Sequence, residues 1–520
     1  MKIMNPVISG FHPDPSLVRA GDDYYIATST FEWFPGVRIF HSKDMANWEL
    51  VSHALTNDQD VNMMGIDSAC GIWAPNLTYD NGIFYLMYTI VYTDRSRFKD
   101  TYNFLITAKD VKGPWTKPVM VNCAGFDPSL FHDTDGRKYV VNMVLDYSVN
   151  QERFAGIDVQ EYDITKGVLI GKPQRVFRGS HRGFTEGPNI MKKDGWYYLV
   201  CAEGGTEFGH CAIVLRAENI NGPYEECPHN PIISSANKPD CPLQRAGHMQ
   251  IMEDKNHNWY MAHLCSRPVD GYSILGRETA IQNIEWTEDG WYKLSANDTA
   301  TPELYFEVPG ATQKPRKKKI HDTFSDGKIP QDYLSLRQSY ETNGIQVVDG
   351  HLKIKGGCSV ASKYHQGLLA RAQESIHCNF TAAMKFEPEH YRHLAGLVVY
   401  YNYDNVYQLR MTREDKGRKI ELSTIINREI EDSEPIYIQD KGANETYFFR
   451  AEIRRDEVRF YYSLDGLEYI QVGDVQDMRK ISDEHVVGNG FTGSMVGVNC
   501  VDLQGDGCSA EFMYLEYEEV

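Results

Sequence analysis

The sequence has no run of about 18 apolar residues, so it encodes no helical membrane span. Its opening, Met1-Lys2-Ile3-Met4-Asn5-Pro6, lacks an apolar core of signal-peptide length, so neither export nor membrane insertion is expected. Positive charge is also in deficit. With 53 Lys and Arg against 72 Asp and Glu, the formal net charge is -19, which disfavours nucleic acid and anionic membranes, because both recruit clustered cations. A neutral partner fits better. Cysteine pairs at CxxC spacing are missing, and the total of 11 is odd. Reduced, buried thiols and a cytoplasmic location are therefore expected, in place of a disulfide framework or a zinc site. Four Asn-x-Thr sequons, at Asn76, Asn297, Asn379 and Asn444, carry no weight without a secretory signal.

The chain of 520 residues exceeds what one ordinary core can organise, so two domains are expected. Its 42% hydrophobic and 24% charged residues are those of a folded globular protein. The 32 Tyr, 22 Phe and 8 Trp suit short strands and sugar-stacking surfaces more than helical bundles.

One design recurs five times: a small polar or acidic residue, a short apolar strand, a turn, and an aromatic strand. It runs His12-Pro13-Asp14-Pro15-Ser16 to Gly21-Asp22-Asp23-Tyr24-Tyr25, then Trp73-Ala74-Pro75-Asn76 to Asn81-Gly82-Ile83-Phe84-Tyr85. The third unit joins Phe126-Asp127-Pro128-Ser129 to Asp135-Gly136-Arg137-Lys138-Tyr139, and the fourth Glu186-Gly187-Pro188-Asn189 to Asp194-Gly195-Trp196-Tyr197-Tyr198. A weaker fifth joins Gly247-His248-Met249-Gln250 to Asn256-His257-Asn258-Trp259-Tyr260. Anchored on Pro15, Pro75, Pro128, Pro188 and Met249, the separations are 60, 53, 60 and 61 residues. That is the size of a four-stranded blade, and the Asn-Gly and Asp-Gly pairs are hairpin turns. An all-β chain is predicted, with a five-bladed β-propeller over residues 1–312. Past Trp286 and Trp291 the pattern stops. Gln313-Lys314-Pro315-Arg316-Lys317-Lys318-Lys319 has linker character, and residues 320–520, with strand-like segments such as 397–401 and 457–462, are predicted to form a β-sandwich.

In a propeller the innermost strands line one channel, so equivalent positions converge. To within one residue those positions hold Asp14, Trp73, Asp127, Glu186 and His248. Isolated buried carboxylates are costly, and like charges close together raise at least one pKa, which keeps an acid protonated near neutrality. Glycoside hydrolysis needs one carboxylic acid to protonate the leaving oxygen and one carboxylate to activate water or attack. A third acid can tune the first.

The run from Asn5 through Gly10-Phe11-His12-Pro13-Asp14-Pro15-Ser16 and on through Tyr24 to Gly36 resembles glycoside hydrolase family 43, in its β-xylosidase branch. The resemblance continues through Trp73-Ala74-Pro75, Phe126-Asp127-Pro128-Ser129, Thr185-Glu186-Gly187-Pro188, Gly247-His248 and Gly276-Arg277-Glu278-Thr279-Ala280, and includes the C-terminal β-sandwich, for which it implies a concanavalin-like jelly roll. It implies an inverting, exo-acting hydrolase that removes terminal xylose from the non-reducing end of short β-1,4-xylo-oligosaccharides. Asp14 would be the general base, Glu186 the general acid and Asp127 the modulator of that acid. Inversion implies carboxyls of Asp14 and Glu186 about 6.5–9.5 Å apart, leaving room for water. Arg277 would hold the acids and sugar hydroxyls, and Phe31 and Trp73 would wall the sugar pocket or serve as blade core. Thr206 would reach in from a neighbouring loop, and Phe491 would cross from the second domain into the active-site mouth or pack within the sandwich. His248 would face the channel, where the resemblance allows a water-coordinated calcium site, although a lone imidazole is more often a satisfied core residue and calcium prefers oxygen. No cofactor is expected to be required. A homo-oligomer, dimer or tetramer, is implied in the same way. Relatives carry tryptophan where this chain has Leu145, which implies weaker stacking of the leaving group. Two other functions stay open: an α-L-arabinofuranosidase on the same fold, and a non-catalytic sugar-binding propeller.

Overall fold

The computed structural model describes residues 2–95, 98–148, 154–296, 299–315, 318–439 and 445–520. The sequons at Asn297 and Asn444, and Arg316-Lys317 of the linker, lie outside the described residues.

The repeat is five antiparallel sheets. Blade one comprises Ser16–Ala20, Asp23–Thr28, Gly36–Ser42 and Glu49–Leu55, and blade two Gly71–Asp80, Ile83–Arg95, Phe98–Ala108 and Val119–Asn122. Blade three comprises Ser129–His132, Lys138–Leu145, Phe154–Asp163 and Val168–Phe177, and blade four Glu186–Lys193, Trp196–Glu203, Cys211–Ala217 and Glu225–Glu226, with Ile233–Ser234 added on its third strand. Blade five comprises Gln244–Glu253, Trp259–Ser266, Glu278–Trp286 and Tyr292–Leu294. The chain start is stapled to this last blade. Thr279 N donates to the Ile8 carbonyl at 3.1 Å, and Asn5 exchanges two hydrogen bonds with Ile281, at 2.7 and 2.9 Å. A ring of blades is closed by pairing its two ends, since an open edge would leave backbone groups unpaired.

The backbone explains why the five axial residues align only to within one position. The residue before each anchor has positive φ: Asp14 at 55°, Ala74 at 36°, Asp127 at 53°, Gly187 at 57° and His248 at 47°. Non-glycine residues seldom adopt this region, and their presence at four of the five blades, with Gly187 at the remaining one, marks a shared kink at the top of the inner strand. Where the kink residue is small, Ala74 or Gly187, the functional side chain is the one before it, Trp73 or Glu186. Pairing is irregular between Trp73 and Asn76, between Glu186 and Asn189, and between Gly247 and Gln250, so in blades two, four and five the kink is a bulge that re-aims side chains, while in blades one and three the inner strand starts just after it. Gly187 suits its place, because a Cβ there would lie 3.0 Å from the His248 ring, tighter than an ordinary contact.

Residues 319–519 form the two large sheets of the β-sandwich, whose inward faces bury residues such as Phe380, Leu409, Phe460 and Phe512. One sheet is not made by these residues alone. Trp33–Phe34, from blade one, adds to it through Tyr333–Leu336, with Phe34 opposite Ser335 and Trp33 opposite Leu336. The hydrophobic core is correspondingly continuous from Phe31, Trp33 and Ile72 to Leu334, Leu368 and Val398.

Candidate active site

The inner-strand kinks bring Asp14, Trp73, Asp127, Glu186 and His248 to one end of the propeller, where with Phe31, Lys99, Phe126, Thr206, Arg277 and Phe491 they line an inner pocket. It opens into a cleft of about 610 Å³. Lys99, Phe126, Glu186, Thr206 and Phe491 line both compartments, so they stand at the junction.

The three carboxyls are treated differently by their surroundings. Asp14 is buried, which by itself would raise its pKa, but the Arg277 guanidinium, the His248 imidazole and the Ser29 hydroxyl hold it below the usual carboxylate range. Arg277 Nη1 donates to its Oδ1 at 2.9 Å, and Ser29 Oγ to its Oδ2 at 2.6 Å. Ser29 Oγ also accepts Ala74 N at 2.7 Å, which locks Asp14 to blade two. Glu186 is pushed the other way, to about 7, by burial and by the charge of Asp14 against the opposing pull of Lys99 and Arg277. No protein group among the described residues hydrogen-bonds its carboxyl, which faces the junction. Asp127 is raised well above the ordinary range by burial, Glu186 and Asp14, in spite of the bond its Oδ2 accepts from Gly187 N at 2.9 Å. Asp127 and Glu186 titrate as a pair, and the pair retains a proton that Asp14 gives up.

His248 Nδ1 lies 3.9 Å from Asp14 Oδ1, and burial lowers the pKa of the imidazole against the opposing pull of the Asp14 carboxylate. Among the described residues Asp14 is the only carboxylate within 4 Å of it, and both its oxygens are engaged. Such a donor set does not make a directly liganded calcium site, since calcium takes six to eight oxygens. A second cluster, His390, His393 and Asp506, lies in the sandwich. There each Nδ1 accepts a backbone N–H, from Arg392 and from Glu389, leaving the Nε2 hydrogens to Asp506. Metal-ligating imidazoles donate from their second nitrogen, and these accept.

Phe31 is 2% exposed and Trp73 6%, so both are core and wall at once. Their centroids lie 5.7 Å apart, and Phe491 caps them at 6.1 and 5.6 Å. Phe491 therefore packs on the propeller and not within the sandwich. Its carbonyl accepts Arg277 Nη2 at 3.1 Å. The rest of its loop is clamped to propeller residues: Arg245 donates to Asp483 at 2.7 Å and lies 3.3 Å from Glu484, Ser273 Oγ donates to Glu484 at 2.8 Å, and Asn489 donates to Asp94 at 2.5 Å. Arg245 Nε also holds the Thr206 carbonyl at 2.8 Å.

Three residues escaped the sequence reading. Ser29 falls within the run from Tyr24 to Gly36, where nothing in the sequence marks it as a partner of Asp14. Phe126 flanks Trp73 at 5.4 Å, and the Lys99 ammonium sits 5.0 and 5.1 Å over those two rings while pairing with Asp94 at 3.1 Å. Lys99 lies on a third strand, outside the repeated position, so no periodic signal marks it. Leu145 lines the outer cleft but is only 8% exposed.

The sequence matches the model of glycosyl hydrolases family 43 over residues 3–292, and that of the β-xylosidase C-terminal concanavalin A-like domain over residues 321–518. It is 38% identical to the β-xylosidase of Bacillus subtilis (strain 168), with 100% of both chains covered, and 41% identical to xylosidase/arabinosidase 43B of Humicola insolens, covering 100% of this chain and 98% of that one. The crystal structure of xylan β-1,4-xylosidase from Bacillus halodurans C-125 superposes with a TM-score of 0.96 at 41% identity, over 99% of this chain and 100% of the other. Two acidic residues of opposite protonation bias at one end of a five-bladed propeller, and matches that together run almost from end to end, lead to one assignment: the chain is a glycosidase belonging to glycosyl hydrolase family 43.

Proposed function

We propose that the chain is an inverting, exo-acting β-xylosidase that releases xylose from the non-reducing end of short β-1,4-xylo-oligosaccharides. The observation that carries this reading is the divergence of the carboxyls. Asp14, held ionised by Arg277 and Ser29, takes a proton from water as that water attacks the anomeric carbon. Glu186, protonated to near neutrality and with no hydrogen bond to its carboxyl among the described residues, gives its proton to the departing oxygen at the junction of the two compartments. Asp127 shares the pair's proton and, through Gly187 N, fixes the backbone beside Glu186. The small inner pocket, walled by Phe31 and Trp73 and capped by Phe491, suits a single terminal sugar, with the remainder of the chain in the outer cleft. No step needs a metal.

Hydrolysis of xylobiose followed by proton NMR tests the stereochemistry: α-xylose appears first if the enzyme inverts, and β-xylose appearing first refutes that part of the reading. The name of the Humicola insolens relative favours α-L-arabinofuranosidase as a second activity, and paired aryl xyloside and aryl arabinofuranoside substrates measure the preference. All 11 cysteines are free, which supports a reducing, cytoplasmic setting. A homo-oligomer, dimer or tetramer, completes the proposal, with light scattering as its test.

A further inference from the structure

The outer cleft has an apolar side made by Met143, Leu145, Phe154, Phe184, Phe208 and Val486. Leu145, at 8% exposure, offers a sugar almost nothing, whereas Phe184 is 60% exposed and Phe208 39%. Phe184 is unusual in its backbone as well. Its φ is 41°, in the left-handed region that an aromatic residue adopts only at a cost in energy. The segment is nevertheless fixed. On one side Thr185 is buried and donates to Glu203 at 2.8 Å, and on the other the Gly183 carbonyl accepts Gly204 N at 2.9 Å. Strain, rigidity and exposure together hold an apolar ring out of the core and over the cleft. Among the described residues no aromatic ring or cation packs on it, whereas Phe208 has the Arg245 guanidinium 5.9 Å over its ring. Phe184 precedes Glu186 by two residues, a span of at most about 7 Å. Both residues line the outer cleft, where the β-xylosidase reading places the sugar beyond the cleaved bond.

We propose that Phe184 is the platform on which the leaving-group sugar stacks, the specificity-determining contact that Leu145 does not supply. The inference rests on the β-xylosidase reading given above. The apolar C–H face of a pyranoside lies on the ring while the glycosidic oxygen meets Glu186. Because the contact touches only the leaving group, it acts on oligosaccharides and leaves a substrate with a one-atom leaving group untouched.

Phe184→Ala and Phe184→Tyr, compared with the parent enzyme on xylobiose and on β-D-xylopyranosyl fluoride, form the test. Phe184→Ala is expected to lower kcat/KM on xylobiose by about 2- to 10-fold, the range of one aromatic stacking contact. Phe184→Tyr should restore it, turnover of the fluoride should stay within twofold, and Tm should not fall, since the ring is exposed. An unchanged kcat/KM on xylobiose, or equal losses on both substrates, overturns the platform while leaving the β-xylosidase reading intact. Failure of the parent enzyme to hydrolyse either substrate overturns both.

Discussion

Replacing Glu186 by Gln separates what the acid does for catalysis from what it does to the fold. A pKa raised from the ordinary 4.5 to about 7 is worth about 3 kcal/mol in favour of the protonated carboxyl, at about 1.4 kcal/mol per unit. The folded-state pKa lies above the unfolded one, so the folded protein binds the proton more tightly. Stability therefore declines as pH rises from about 4.5 to about 7, and above 7 the full penalty is present. Gln carries no charge and escapes it. Glu186 is partly open to the cleft, which trims the figure to about 1–3 kcal/mol. The variant should match the parent in Tm at pH 4 and exceed it by about 2–4 °C at pH 8, while turnover of xylobiose falls roughly 10²- to 10⁴-fold. Thermal unfolding at both pH values and initial rates on xylobiose provide the readouts. In the parent, kcat/KM should fall on the alkaline side with a midpoint near 7, as the acid loses its proton. A Tm difference that does not change with pH, together with an alkaline limb near the ordinary carboxylate value, would refute the placement of a protonated acid at Glu186.

Arg277→Met removes the cation that holds Asp14 ionised, so the acid limb of kcat/KM should move to higher pH in a pH–rate series; an unmoved limb would assign the ion pair to structure alone. Gly187→Ala places a Cβ 3.0 Å from the His248 ring at a φ of 57°. It should lower stability by about 1–2 kcal/mol and reduce activity at the same time, because Glu186 immediately precedes the strained residue. Chemical denaturation and initial rates report the two effects.

The fold was legible because the blades repeat. A period near 60 residues, with Asn-Gly and Asp-Gly turns at matching offsets, leaves few architectures, and the axial residues then follow from equivalence. The one-residue ambiguity at Trp73 and Glu186 was not legible, because it depends on which residue takes the left-handed backbone, a property that Ala74 does not advertise. Lys99 escaped for a different reason: it projects from the third strand of blade two, reaching Trp73 on the first strand of its own sheet and Phe126 beside blade three. The clamps on the loop from Asp483 to Phe491 join residues more than 200 positions apart in sequence, such as Arg245 and Asp483. Periodicity does not report such pairings. The resemblance implies Phe491, whereas Arg245, Ser273 and Asp94, the partners of the rest of its loop, carry no such signal.

The loan of Trp33 and Phe34 to the second domain's sheet makes the linker a misleading place to cut. A propeller expressed alone would expose that two-residue strand as a sticky edge and leave Arg245 facing solvent where Asp483 had been. Likewise, a sandwich grafted from another enzyme would bring its own cap to the sugar pocket and its own partner for Trp33. The portable unit for protein engineering is the entire chain, and chimeras should be joined inside the blades' outer turns, not at the apparent seam.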